Sequence, residues 1–201
     1  MKAAVYRRYG PPEVVKIEEI AKPKPRNNEV LIRIRAATVT AGDWRVRSLT
    51  TPKRWGLIAR LVLGVFRPRR RIPGSELAGE IEAVGRNVTK FKARDKVFAF
   101  PGLGLACHAE YRTMPENGKI APKPANLSFE EAAAISFGGA TALSYLRDMG
   151  KIKSGEKVLI IGASGAVGSS AVQLAKHFGA DVNGVCSTAN LELVRSIGAD
   201  A

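Results

Sequence analysis

The chain has 201 residues, 45% of them hydrophobic and 25% charged, with a formal net charge of +14. That length holds one large domain or two small ones around a real core, and the composition is that of a soluble globular protein. No apolar run reaches the length that spans a bilayer. Met1–Val5 opens a strand pattern rather than a signal peptide. Cys107 and Cys186, the two cysteines, are too few for a disulfide scaffold or a cysteine-rich metal lobe, so a reducing, cytoplasmic setting is expected.

The charge is unevenly placed. Residues 1–75 carry 18 Lys/Arg against 5 Asp/Glu, and residues 76–201 carry 14 against 13. Arg45–Arg71 holds nine basic residues and no acidic one. Such a region suits a solvated surface, nucleic acid, an anionic membrane surface or the steering of an anionic ligand. No helix-turn-helix, zinc-finger or RNA-stacking motif accompanies it, so nucleic acid is not the expected partner; peripheral membrane contact stays open.

Residues 1–125 read as mostly β. Ala3–Arg8 and Val14–Ile20 are strand candidates joined by the turn Tyr9-Gly10-Pro11-Pro12. Lys22-Pro23-Lys24-Pro25 is a loop that cannot join a central sheet. Glu29–Thr38 alternates, with Val30, Ile32 and Ile34 on one face and Arg33 and Arg35 on the other. Leu57, Ile58, Leu61, Val62, Val65 and Phe66 recur at helical spacing within Arg54–Arg71. They predict a lid or surface helix that packs on the barrel, covers lipophilic ligands or lies on an anionic membrane. Leu77–Val84, Lys96–Phe100 and Ala109–Met114 are further strands.

From Ser128 the period changes. Ser128-Phe129-Glu130-Glu131 is a capping box. Two helical stretches follow, Phe129–Phe137 and Thr141–Met149, with Gly138-Gly139 breaking them. The domain boundary falls near Pro122–Asn126. Next comes the run Val158–Ile161, then Gly162-Ala163-Ser164-Gly165-Ala166-Val167-Gly168, an amphipathic helix through Phe178, a second β-type run Val182–Cys186, and the helical Asn190–Ile197. This is one βαβ unit of a dinucleotide-binding fold, with glycines spaced GxxGxxG. One glycine turns the chain off the strand, one admits a pyrophosphate to the backbone, and one lets helix and strand pack closely. The seven residues from Gly162 to Gly168 are the candidate phosphate contacts.

Gly74-Ser75-Glu76-Leu77-Ala78-Gly79-Glu80-Ile81-Glu82-Ala83-Val84-Gly85 resembles the GxExxGxVxxVG signature of the medium-chain dehydrogenase/reductase superfamily. Phe137–Leu143, the glycine turn and Gly184–Thr188 agree in order. The chain is most similar to the zinc-free, NADPH:quinone oxidoreductase-like branch. The resemblance implies an α/β protein with a mostly β N-terminal part. A GroES-like β-barrel domain (residues 1–125) precedes the first half of a Rossmann domain (residues 126–201), with the active site between them and a homodimer at full length. Thr40, Ser75 and Phe137 match the zinc-ligand positions of the superfamily's alcohol dehydrogenases, and none is a normal zinc ligand. No metal is therefore expected. Reduction of a quinone or α,β-unsaturated carbonyl, whose charge delocalises, is the expected chemistry.

Thr40 and Asp43 are the catalytic candidates, with the alternative that Asp43 only caps Trp44–Ser48. The resemblance makes Thr141 a cofactor contact at the head of a helix and Glu76 structural. It also puts Arg94 where glycine is usual in the turn Ala93–Val97. Cys186-Ser187-Thr188-Ala189-Asn190 offers no carboxylate where NAD-specific folds place one. Ser187, Thr188 and Asn190 therefore point to NADPH. Two β-runs of a fold that builds about six strands lead to the expectation of a chain cut short, inactive, and aggregation-prone or partly unfolded beyond about Gly155. A non-catalytic nucleotide-binding module with a basic surface is the alternative function.

Overall fold

A hairpin opens the chain: β1 (Lys2–Tyr6) pairs antiparallel with β2 (Val15–Glu19) around the Tyr9–Pro12 turn. The computed structural model describes residues 1–50 and 56–201, which divide into two compact units, Met1–Ala134 and Ile135–Ala201. In the first unit β3 (Glu29–Ala37) follows its alternation, with Val30 and Ile32 buried and Arg33 and Arg35 exposed. The short helix α1 (Ala41–Ser48) leaves its end, and α2 (Gly56–Leu63) comes next. Arg54, at the head of the helix the sequence predicts there, lies outside the described residues. β4 (Leu77–Val84), β5 (Lys96–Ala99), β6 (Tyr111–Pro115) and β7 (Ile120–Pro122) complete a five-stranded sheet in the order β6-β3-β4-β5-β7. All its pairings are antiparallel. Val30, Ile32, Leu77, Ile81, Val97, Ala99, Cys107 and Met114 fill the core that the sheet encloses.

The Ala93–Val97 turn keeps its geometry without glycine. Arg94 takes φ +74°, and its N–H still donates to the Ile81 carbonyl at 2.7 Å. The turn is thus formed at the cost of a side chain in the left-handed region.

Helix α3 (Phe129–Leu143) starts on the capping box: Glu131 N–H donates to Ser128 Oγ at 3.1 Å and Ser128 N–H to Glu131 Oε2 at 2.7 Å. Gly138-Gly139 does not break it. The helix runs on through Leu143 and widens into a π-type turn over Ser144–Met149. A Cβ on Gly138 would stand 2.5 Å from the Ala166 carbonyl oxygen. This glycine therefore allows a close helix approach rather than marking a stop.

In the second unit β8 (Lys157–Ile161) and β9 (Asp181–Val185) pair in parallel, joined by α4 (Ala166–His177); α5 (Leu191–Ser196) follows. Ile160 and Val182 meet Ala171, Val172 and Ala175 of α4 in one core, to which Val194 of α5 belongs. The strand-helix-strand reading of the sequence holds. Asp200 clasps the unit: it accepts from Lys176 Nζ at 2.9 Å and from Val182 N–H at 2.7 Å. Those donors hold its carboxyl below the usual range, the Val182 amide foremost.

Candidate functional site

Two glycines of the turn, Gly162 and Gly168, take the turning and close-packing roles that the spacing predicts. Gly162 takes φ +79° directly off β8, a conformation that side chains resist. The N–H groups of Gly162 and Ala163 both donate to the Val185 carbonyl, at 2.9 and 3.0 Å, which fastens the turn to the end of β9. Gly165 is the N-cap of α4, and no side chain caps the helix. The first-turn N–H groups of Ala166, Val167 and Gly168 therefore have no intrahelical acceptor and face the positive end of the helix dipole. A Cβ on Gly168 would stand 2.1 Å from the Gly162 carbonyl oxygen and 2.8 Å from Ala163 Cα. Only glycine lets α4 start so close to the strand end. A strand feeding an uncapped helix through a close glycine turn is a cradle for a phosphate group.

The loop after β9 comes to the same place. Asn190 Nδ2 donates to Ser164 Oγ and to Ser187 Oγ, both at 3.1 Å, so the two ends of the candidate site share a hydrogen-bonded bracket. Gly184 lets β9 pack closely on α5 and the glycine turn: a Cβ there would meet Val194 Cγ1 at 2.6 Å and Ala163 Cβ at 3.2 Å. Ser187 and Thr188 are exposed. Thr141 stands in the last turn of α3 rather than at the head of a second helix, because Gly138-Gly139 leaves α3 unbroken. It lies three residues after Gly138, on the helix face that touches the start of α4.

In the first unit, Thr40 and Asp43 form a capping box at the head of α1. Asp43 Oδ2 accepts from Thr40 N–H at 2.8 Å and from Thr40 Oγ1 at 2.9 Å. Asp43 N–H donates back to Thr40 Oγ1 at 3.2 Å, and Gly74 N–H donates to Asp43 Oδ1 at 3.0 Å. With both oxygens engaged and only 5% of its surface exposed, Asp43 holds the loop after β3 against the Gly74 turn. Thr38 Oγ1 donates to buried Glu76. His108 Nε2 lies 2.8 Å from the Thr38 carbonyl, and a Cβ on Gly74 would meet His108 Cδ2 at 2.5 Å.

The pairing of His108 with Thr38 crosses 70 residues of chain, and no local pattern announces it. Beside it, burial pushes the Cys107 thiol up to about 12, which keeps it protonated and a poor nucleophile. Among the described residues no group of three or more His, Cys, Asp or Glu is arranged to hold a metal ion.

Residues 26–125 match the alcohol dehydrogenase GroES-like domain family. Over its whole length the chain is 36% identical to a chloroplastic quinone-oxidoreductase homolog of Spinacia oleracea, covering 60% of that protein. The chain belongs to the medium-chain dehydrogenase/reductase superfamily, in its quinone oxidoreductase-like branch. It is also 38% identical over its whole length to a 2-methylene-furan-3-one reductase of Solanum lycopersicum, covering 51% of it. Its fold superposes on the Escherichia coli quinone oxidoreductase, solved in complex with NADPH. The TM-score is 0.83 at 29% identity, covering 99% of this chain and 57% of that one. The chain thus spans 51–60% of the length of these relatives.

Proposed function

We propose that this chain serves a zinc-independent, NADPH-dependent reductase that passes a hydride to a quinone or an α,β-unsaturated carbonyl. The observation that carries the reading is the uncapped glycine turn at Gly162–Gly168 bracketed to a loop after β9 without a carboxylate. The residues fit a dinucleotide phosphate. Gly168 leaves the space, and the α4 amides supply the donors. Ser187 and Thr188 have hydroxyls that can donate to a 2′-phosphate, while the Asn190 amide is taken up in holding Ser187 to Ser164, and no Asp or Glu between Cys186 and Asn190 repels it. Bound nicotinamide supplies the hydride.

The donor set at Thr40 and Ser75 is two hydroxyls, which suits no zinc site. Asp43 acts through its neighbours, fixing the Thr40 loop and the Gly74 turn, and is a positioning residue. A conjugated acceptor spreads the arriving charge into an enolate or hydroquinone anion, for which fixed hydrogen-bond donors suffice. The relatives named for quinone and enone reduction support that acceptor class.

The test compares NADPH with NADH in fluorescence titration and in turnover of a quinone and an enone, after dialysis against a strong chelator. It is run on the 201-residue chain and on the product of its uninterrupted genomic reading frame. Activity that survives the chelator, with kcat/KM about tenfold or more in favour of NADPH, is expected. Equal or better kcat/KM with NADH removes the cofactor assignment. Activity restored only by zinc removes the metal-free chemistry. NADPH binding by both proteins with no turnover by either marks a non-catalytic nucleotide-binding module instead.

A further inference from the structure

Surface helices of soluble proteins turn their apolar stripe inward and a polar face to water. Helix α2 instead leaves its apolar stripe in water as well. None of its residues is buried, and Leu57 is 74% exposed, with Ile58, Leu61 and Val62 also exposed on the same side. The stripe continues into the following turn, where Val65 is exposed and Phe66 presents 95% of its surface. The segment is firmly seated. Tyr9 donates its hydroxyl to the Gly64 carbonyl at 2.8 Å, Tyr6 N–H donates to the Arg71 carbonyl at 2.8 Å, and Gly64 and Pro68 are buried. The turn needs its glycine: Gly64 takes φ +125°, and a Cβ there would overlap the Arg67 carbonyl oxygen at 2.1 Å.

The surroundings of the stripe carry one sign of charge. From Trp44 to Ser75 the sequence has no Asp or Glu. Arg60, Arg67, Arg69, Arg70 and Arg71 follow or flank α2, all exposed, and none is among the ion pairs of the described residues. Val62 and Leu63 of α2 line a cavity of about 270 Å³ together with Arg69, Arg70 and Leu103. Stripe and arginines therefore share one side of the unit, and exposed Leu103 extends the apolar patch.

We infer that α2 and the turn to Arg71 dock this protein on an anionic lipid bilayer, with Leu57, Leu61 and Phe66 inserted among the acyl chains and the arginines on lipid phosphates. Charge complementarity selects this occupant. An outward apolar stripe beside guanidiniums that make no ion pair among the described residues matches a surface that is polyanionic outside and hydrocarbon beneath. This inference does not rest on the hydride-transfer reading.

Co-sedimentation with vesicles tests it. One set is phosphatidylcholine alone and the other an equimolar mixture with phosphatidylglycerol, each at low and at physiological salt. The chain is expected to bind the mixed vesicles, about tenfold more weakly to phosphatidylcholine alone, and less as salt rises. The double variant Leu61→Asp/Phe66→Asp, whose changed side chains touch solvent and leave the circular dichroism unaltered, should lose about tenfold in vesicle affinity. Arg67→Gln/Arg69→Gln/Arg70→Gln should flatten the salt dependence.

Four results would each overturn the proposal. The first is no binding to mixed vesicles at low salt, and the second is equal binding to both vesicle types. The third is an aspartate variant that binds as tightly as the parent. The fourth is oligomers, without vesicle binding, that the aspartate variant abolishes; these would assign the stripe to a second copy of the chain.

Discussion

Single atoms decide several positions in this molecule. A methyl group on Gly168 would sit 2.1 Å from the Gly162 carbonyl oxygen, and backbone on both sides leaves nothing flexible to yield. Gly168→Ala is expected to cost about 1–3 kcal/mol and to abolish NADPH binding, read by thermal melting and by fluorescence titration. Gly165→Ala is the control for the stability loss alone, since its Cβ would rest at 3.4 Å from the same oxygen, an ordinary contact. A Gly168→Ala protein that melts and binds like the parent would remove the close-approach argument. Arg94 gives the opposite sign. Its left-handed φ of +74° costs about 1–2 kcal/mol for a side chain, and glycine returns about 0.5–1 kcal/mol of that in unfolded-state entropy. Arg94→Gly should therefore raise stability by about 0.5–1 kcal/mol, seen as a higher Tm.

At the scale of elements, carboxylates fasten loops to strands. Glu116, in the segment after β6, accepts from Thr89 N–H and Lys90 N–H, both at 2.9 Å. The Lys90 and Thr89 amides hold its carboxyl below the usual range. A depressed folded pKa contributes stability above the unfolded value, and that contribution is lost as pH falls through the folded one. Glu116→Gln should thus lower Tm at neutral pH, and the gap between variant and parent should close as the solution is acidified below the ordinary glutamate range. A gap that persists in acid would mean that the side chain acts by packing rather than charge.

Much of this layer was legible from residue order. The alternation through Val30, Ile32 and Ile34, the Ser128–Glu131 box and the glycine turn are all local signals. The strand β7 was not, because Ile120–Pro122 is short and ends on proline. Gly138-Gly139 reads as a stop because glycine weakens a helix locally, while its use, a contact with Ala166, lies on another helix. The apolar spacing of Leu57–Phe66 foretold a helix but not its facing, since a period fixes which residues share a side and says nothing of what that side meets. At the candidate site the strand-glycine turn-helix arrangement was visible in sequence. The hold of Asp43 on Gly74 and of His108 on Thr38 joins residues distant in the chain, and only the fold shows it.

Across the whole molecule, charge and apolar surface oppose each other. In the β8–β9 pair one side is covered by α4, while Leu159 at 64% exposure, Ile161 at 79% and Val185 lie open. Parallel strands ordinarily have both faces covered, and an open apolar face next to the outer edge of β8, which has no partner strand among the described residues, favours association. The net charge of +14 works against it, since like-charged copies repel over a Debye length of about 10 Å at 0.1 M salt and about 3 Å at 1 M. Self-association of the 201-residue chain should therefore grow as salt is added, the reverse of the salt trend expected for vesicle binding. Light scattering coupled to size exclusion across a salt series measures it. Leu159→Thr/Ile161→Thr places β-branched side chains suited to a strand at both positions while reducing the apolar face, and should hold the chain monomeric at high salt. If that variant associates as the parent does while Leu61→Asp/Phe66→Asp stays monomeric, the adhesive surface is α2 and not the sheet.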